Sequence, residues 1–510
     1  MILKSCSGLV IAASAIGFGV GNAAATNLKL KRTQQKPRNV IYILSDDHRY
    51  DFFGFTGKVP WLKTPNLDKL ALEGAHLQNA FCTTSLSSPS RASILTGLYA
   101  HQHEVVDNYE PVNPNLTFFP QYLQKAGYQT AFFGKWHMGH DVDAPQRGFT
   151  HWESFRGQGE YFNPVLNING REVSYSDSTY ITDLLTDHAI GWLKARKQQQ
   201  PFFMYLSHKA VHHEWKASPK NKGMCKNELV PEALTMLQYV SETTLDPKRH
   251  EQKSANAYYG ANVTPDWVKG RAYSWHGAML SRTEFEDIFR RYCETLTSMD
   301  EAIGRLMTFL KESGLDKETV IIYMGDNGHS MGEHGLMDKR HFYEESTRVP
   351  MIAYCPALIK PATKVEKMLL NVDIAPTILD FAGLKKPAYM VGSSFANLVE
   401  GKTVPQWRDK FFYEYYWEFQ YPNTPTIFGV RTDRYKYIFN QGIWDANELY
   451  DLKNDPLEAH NLIFDKKYES IGISLKNELF NWLKTTGGDK IPMRKGPEKR
   501  SGEHRSNGMY

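Results

Sequence analysis

A chain of 510 residues with 41% hydrophobic and 13% aromatic content carries enough apolar surface to bury a large core, which excludes an intrinsically disordered polymer. Its formal charge of +4 at pH 7 is too small for a nucleic-acid binder, so any attraction for anions has to be local. Length alone predicts two or three domains, or one large domain with a smaller partner.

In chain order, the first segment reads as an export signal. Lys4 supplies a positive start, Gly8 to Gly21 is apolar or small, and Asn22-Ala23-Ala24-Ala25 offers small residues for cleavage. This predicts a signal peptide over 1–25, a mature chain from near Thr26, and a periplasmic or secreted protein. The apolar stretch is shorter than a membrane span and no second candidate follows.

Asn39 to Leu44 is a β-rich run that stops at Ser45-Asp46-Asp47, the pattern of a buried strand delivering carboxylates at its carboxyl end. The same grammar recurs at Thr130 to Phe133 before Gly134-Lys135-Trp136-His137, at Phe202 to Leu206 before His208 and His212, and at Val320 to Met324 before Gly325-Asp326-Asn327-Gly328. Ile303, Leu306, Met307 and Leu310 give one apolar helix face between such runs. Strands alternating with helices predict an α/β fold with a mostly parallel sheet, whose strand ends are where active sites form.

Glu214 to Ala278 is polar with little periodicity, as expected of an active-site rim or lid. Beyond about Gly401 the character changes: Phe411 to Phe419, Phe428 to Thr432, Tyr435 to Phe439 and Glu448 to Leu452 read as short strands, followed by a helix around Ile471 to Leu483. The expected organisation is a catalytic α/β domain over 26–400 and a smaller α+β subdomain over 401–510, built on a short antiparallel sheet and ending in a basic tail. Cys82, Cys225, Cys293 and Cys355 remain after signal removal, with no close metal-binding pair; a disulfide is permitted and not required, and they are expected as buried or incidental thiols.

Ser87-Ser88-Pro89-Ser90-Arg91, continuing through Ala92 to Leu95-Thr96-Gly97, is the most specific stretch. Taken alone it could be a serine-rich turn entering a helix. With Asp46-Asp47, Gly134 to Gly139, Gly325 to Gly328, Lys339, Tyr435-Lys436-Tyr437 and Glu448 to Leu452 in the same order, it resembles the signature of the type I sulfatases. These formylglycine-dependent enzymes belong to the alkaline phosphatase superfamily, and the serine form with the export signal is similar to bacterial carbohydrate sulfatases.

The resemblance implies an alkaline-phosphatase-like fold and hydrolysis of sulfate esters of a sulfated glycan. It also implies a formylglycine made from Ser87 by a maturation enzyme, and one calcium ion per chain held by Asp46, Asp47, Asp326 and Asn327 together with residue 87. The four side chains are hard oxygen donors of the kind calcium takes, unlike the histidine-containing sites of two-zinc phosphatase relatives. Arg91 is implied to orient the formylglycine, and Lys135 and Lys339 to contact sulfate. His137 is implied to act on the hydrated aldehyde, and His212, in Ala210-Val211-His212, to protonate the leaving oxygen.

His101, His103, His329, His334 and His341 are further candidates for lining the pocket, and Tyr415, Tyr416, Trp417 and Tyr421 for stacking on sugars. A phosphomonoester or phosphonate-monoester hydrolase, and an inactive protein that binds sulfated glycans, are the alternative readings.

Overall fold

The computed structural model describes residues 36–236, 265–271, 274–275, 278–442 and 445–490. The expected signal peptide, the basic tail and much of the expected rim segment lie outside the described residues. The large sheet has ten strands: β1 (Asn39–Ser45), β2 (Ala75–Leu77), β3 (Gln129–Lys135), β4 (His151–Phe155), β5 (Val165–Ile168), β6 (Arg171–Ser174), β7 (Phe202–Ser207), β8 (Thr319–Gly325), β9 (Met351–Tyr354) and β10 (Thr363–Val365). Their spatial order is β10-β2-β9-β8-β1-β7-β3-β4-β5-β6.

The four strands predicted from the sequence, β8, β1, β7 and β3, are neighbours at the centre and run parallel. All are buried on both faces, which is why they read as unbroken apolar runs. Alternate residues feed two cores. Ile41, Ile43, Met204, Leu206 and Ile321 pack with α3 (Ile181–Ala195) and α4 (Arg282–Glu312); Val40, Tyr42, Leu44, Tyr205 and Ile322 pack with α2 (Ser87–Thr96) and α5 (Ile374–Phe381).

Helix α4 begins where a capping box sets it: Ser281 Oγ accepts from Glu284 N at 3.3 Å, and Glu284 Oε2 accepts from Ser281 N at 2.8 Å. It carries the predicted apolar face of Ile303, Leu306, Met307 and Leu310. No described helix is long and apolar enough to cross a membrane.

The smaller unit is a four-stranded antiparallel sheet of β11 (Lys410–Tyr415), β12 (Thr426–Thr432), β13 (Tyr435–Gln441) and β14 (Glu448–Asp451), followed by α6 (Glu469–Thr486). Strand β11 stops at Tyr415, short of the expected Phe419. Glu418 is drawn inward there to accept from Tyr415 Oη at 3.0 Å and Arg340 Nε at 2.6 Å, and the chain turns. Tyr415 and Tyr416 are consequently buried, and Tyr421 lies under Arg340 at 3.5 Å, while Trp417 stays 41% exposed. The sheet is joined to the rest of the chain by Phe342 stacked on Tyr413 and by Lys436 Nζ paired with Glu344 at 3.0 Å and Glu458 at 2.6 Å. The cysteines Cys82, Cys225, Cys293 and Cys355 are buried and free, as expected.

Glu345 is buried and its Oε2 has no hydrogen-bond partner among the described residues. Burial and the nearby Glu333 push its carboxyl up to about 8. A folded pKa raised above the unfolded one means that the folded state keeps a proton which the unfolded state releases. That stability is therefore complete below the ordinary carboxylate range and is lost as pH rises through about 8. Glu345→Gln should flatten this slope: melting temperatures of variant and wild type, compared at about pH 5 and about pH 9, should diverge in favour of the variant at the higher pH.

Candidate active site

Ser45, Asp46 and Asp47 leave the carboxyl end of β1, and Asp326 and Asn327 leave the adjacent end of β8. Lys135 closes β3, and Lys209 and His212 follow β7. Helix α2 enters this ring with Ser87 in its first turn and Pro89 two residues further on. A proline in the first turn is tolerated because an N–H there has no intrahelical acceptor.

Ser87 is fully buried, and its Oγ donates to Asp46 Oδ1 at 3.2 Å and lies 3.4 Å from Lys339 Nζ. One turn on, Arg91 donates to Asp326 Oδ2 from Nε at 3.1 Å and Nη2 at 2.9 Å, and from Nη1 to the Lys135 carbonyl at 2.9 Å. Lys135 Nζ is paired with Asp46 and Lys339 Nζ with Asp47. Three cations thus face three carboxylates in a buried space. Lys339 is presented from a strained turn, with Asp338 and Arg340 both at positive φ (89° and 81°).

The carboxylates are not equivalent. Burial alone would raise Asp46, but Lys135, Arg91 and Lys339 hold it well below the usual range. Burial and the charge of Asp46 push Asp326 up to about 6; Asp47 reaches about 6 by burial, against the pull of Lys339. Carboxylates crowded in this way are the environment a cation relieves. Asn327 Oδ1 adds the second sign: it is buried without a hydrogen-bond partner among the described residues, while its Nδ2 donates to Asp47 Oδ1 at 2.7 Å. The donor set fits a hard divalent ion.

His212 joins this group. Single atoms of Asp46, Asp47 and His212 lie within 4.8 Å of one another, so a nitrogen stands beside the oxygen-only set expected for the metal. The cause is the chain after β7, which folds back on β1 through Asp46 N to Ala210 O at 2.9 Å and Val211 N to Asp46 O at 2.7 Å. His212 Nδ1 donates to the His213 carbonyl at 2.8 Å, so Nε2, 3.8 Å from Asp47 Oδ2, carries the lone pair of a neutral ring. Burial and then Lys135 hold it neutral, well below the usual histidine range. His137 is also buried, and its ring contacts Ser88 and Gln158.

The other five histidine candidates are each held by a contact within the protein. His101 Nδ1 is bonded to Glu414 Oε2 at 2.8 Å, His103 Nε2 to Ser93 Oγ at 3.0 Å and His341 Nε2 to Ser330 Oγ at 3.0 Å; His329 Nδ1 donates to the Ser330 carbonyl at 2.8 Å, and His334 stacks on Tyr343 at 4.1 Å. Sequence reasoning missed Gln158, Tyr161 and Lys209. Tyr161 Oη donates to the His212 carbonyl at 2.6 Å, and Lys209 Nζ sits 4.8 Å over the Tyr161 ring and donates to the Gln158 carbonyl at 3.0 Å. Only the glycines on either side of Gln158 hinted at a special backbone there.

The sequence matches the family model Sulfatase over residues 38–384 and the model described as N-sulphoglucosamine sulphohydrolase, C-terminal, over residues 332–485. The chain belongs to the sulfatase family. This sulfatase, a sulfuric ester hydrolase, is 33% identical over 487 residues to an N-acetylglucosamine-6-O-sulfatase of Bacteroides thetaiotaomicron, covering 86% of this chain and 85% of that protein. It is 30% identical over 414 residues to the N-acetylglucosamine-6-sulfatase of Homo sapiens, covering 76% and 69%. Among solved structures, BT4656 in complex with its substrate D-glucosamine-2-N,6-O-disulfate superposes with a TM-score of 0.77 at 31% identity, covering 90% of this sulfatase and all of that chain. The two family matches overlap between residues 332 and 384, the stretch that contains Lys339 and the Phe342 bridge to the terminal sheet.

Proposed function

We propose that this sulfatase hydrolyses the 6-O-sulfate of a glucosamine unit in a sulfated glycan, with a formylglycine at position 87 and one calcium ion. The observation that carries the reading is the position of Ser87 Oγ, fully buried between Asp46 and Lys339, in a carboxylate cluster that Asn327, its side-chain oxygen unpartnered among the described residues, joins through Asp47. The substrate class rests on the relatives named above, which act on N-acetylglucosamine-6-sulfate or bind a 6-O-sulfated glucosamine.

Asp46, Asp47, Asp326 and Asn327, with residue 87, would hold the calcium, and His212 stands at its edge. The ion would balance carboxylate and sulfate charge, and formylglycine would supply a hydrated aldehyde as nucleophile. The chain's own groups do the rest. Arg91, anchored on Asp326, fixes the first turn of α2 and so the direction of side chain 87. Lys135 and Lys339 present ammonium groups where sulfuryl oxygens gain charge. His212 reaches the acid role when an entering sulfate, adding negative charge beside it, favours the protonated ring. The protein is proposed to be exported and matured by a formylglycine-generating enzyme.

Peptide mass spectrometry tests the nucleophile: conversion of Ser87 removes two hydrogens, so the Ser87 peptide should weigh about two daltons less than its sequence mass when co-produced with a serine-type maturation enzyme. The converted protein should release sulfate from N-acetylglucosamine-6-sulfate and should turn over the matched 6-phosphate far more slowly. An unconverted peptide, or a preference for phosphate, would overturn the proposal.

A further inference from the structure

The segment Gly157 to Tyr161 crosses the site from the end of β4 and touches residues after both β3 and β7. Gln158 is its centre. Its Oε1 lies 2.5 Å from Lys135 Nζ and its Nε2 lies 2.9 Å from His137 Nε2, while its main-chain carbonyl accepts from Lys209. The backbone is bent to bring it there: Gly157 and Gly159 both have positive φ (52° and 66°), and a Cβ on Gly159 would meet the Phe155 ring at 2.4 Å.

The chemistry of the partners gives the hydrogen bonds one direction. An ammonium has donors only, so the atom of Gln158 facing Lys135 is the carbonyl oxygen, and the amide N–H₂ faces His137. That amide nitrogen only donates, so His137 Nε2 has to accept and carries the lone pair. The proton of a neutral ring then sits on Nδ1, which is 3.3 Å from Ser88 Oγ, and the Ser88 hydroxyl in turn donates to the His137 carbonyl. The order runs from Lys135 through Gln158 and His137 to Ser88, the neighbour of the proposed nucleophile.

We propose that Gln158 is a positioning residue that fixes His137 as the neutral Nδ1–H tautomer and, through the same amide, aims the Lys135 ammonium. This rests on the function proposed above only for its kinetic consequence. The other charged groups acting on His137 are Lys135, Arg91 and Lys339, which disfavour its protonation, and Asp46, which favours it; burial acts in the same sense as the cations. A protonated ring could not accept from Gln158, so the amide adds a specific barrier to a proton on Nε2 and keeps an acceptor there.

Nitrogen-15 resonances of histidine-labelled protein, assigned with a His137→Asn variant, test this without turnover. His137 should show a pyridine-type Nε2 and a proton-bearing Nδ1; a proton on Nε2 would overturn the proposal. In the converted enzyme, Gln158→Met should lower kcat about 10- to 100-fold with little change in KM, the range seen when a partner that orients a reacting group is removed. Gln158→Glu, which can only accept, should lower kcat and also move the acid limb of the pH profile to higher pH. Wild-type kcat and an unmoved limb in both folded variants would overturn it. A wild type that releases no sulfate yet keeps the Nδ1–H signature would count against the function proposed above and in favour of the role of Gln158.

Discussion

Ser87→Ala should reduce sulfate release to background, a loss on the order of 10⁴- to 10⁶-fold, the scale on which removal of a nucleophile outweighs any other single change. Without the hydroxyl there is nothing to oxidise and nothing to attack sulfur. Stability of the calcium-free protein should hardly change: the side chain contributes one hydrogen bond at 3.2 Å and one contact at 3.4 Å, and alanine suits the first turn of α2. The comparison requires converted wild-type and variant protein, sulfate release measured on the same sugar, and melting curves for both. Activity retained in the variant would remove residue 87 from the chemistry, and a collapse in melting temperature would show that the loss was structural.

Chelation should produce the second large effect, and should act on stability as well as rate. Asp46, Asp47 and Asp326 converge with an unpartnered Asn327 oxygen, so an ion bound there lowers the free energy of the folded state only. With free calcium at about 100 times its dissociation constant, the gain is about 2.7 kcal/mol. Treatment with a calcium-selective chelator should therefore lower the melting temperature and remove activity together, and calcium should restore both while magnesium, which demands tighter octahedral geometry, restores less. Asp326→Asn should weaken the calcium response. It also removes the charge that receives Arg91, and breaking a buried pair of this type costs about 3–5 kcal/mol, so the variant should melt earlier even with calcium present.

The central strands were legible because a strand buried on both faces has to be apolar at every position and has to end where polar groups begin. Asp46, Lys135, His212 and Asp326 were proposed by that rule and by family resemblance, and the folded chain brings them into one cluster with Ser87. Gln158, Tyr161 and Lys209 were not found, because their roles arise from contact between segments distant in sequence. Nothing local to Gln158 distinguishes an amide facing Lys135 from one facing water. The end of β11 was misread for a similar reason: Phe411 to Phe419 is aromatic at every position but Glu414 and Glu418, and the turn at Glu418 is held by Arg340 from another part of the chain. The carboxylate cluster acquired His212 through backbone pairing of Ala210 and Val211 with Asp46, which no spacing of residue types encodes.

Under the conversion of Ser87 proposed above, its complete enclosure sets an order of events during biosynthesis. Lys339, which reaches its hydroxyl, lies 252 positions downstream, and Ser90 in the same helix turn is bonded to the Asp326 carbonyl, 236 positions away. An enzyme that oxidises this side chain has to gain entry while the polypeptide is still open. The interval closes once the distal half of the chain docks, so slowing that docking should raise the converted fraction, and protein refolded without prior conversion should stay inert.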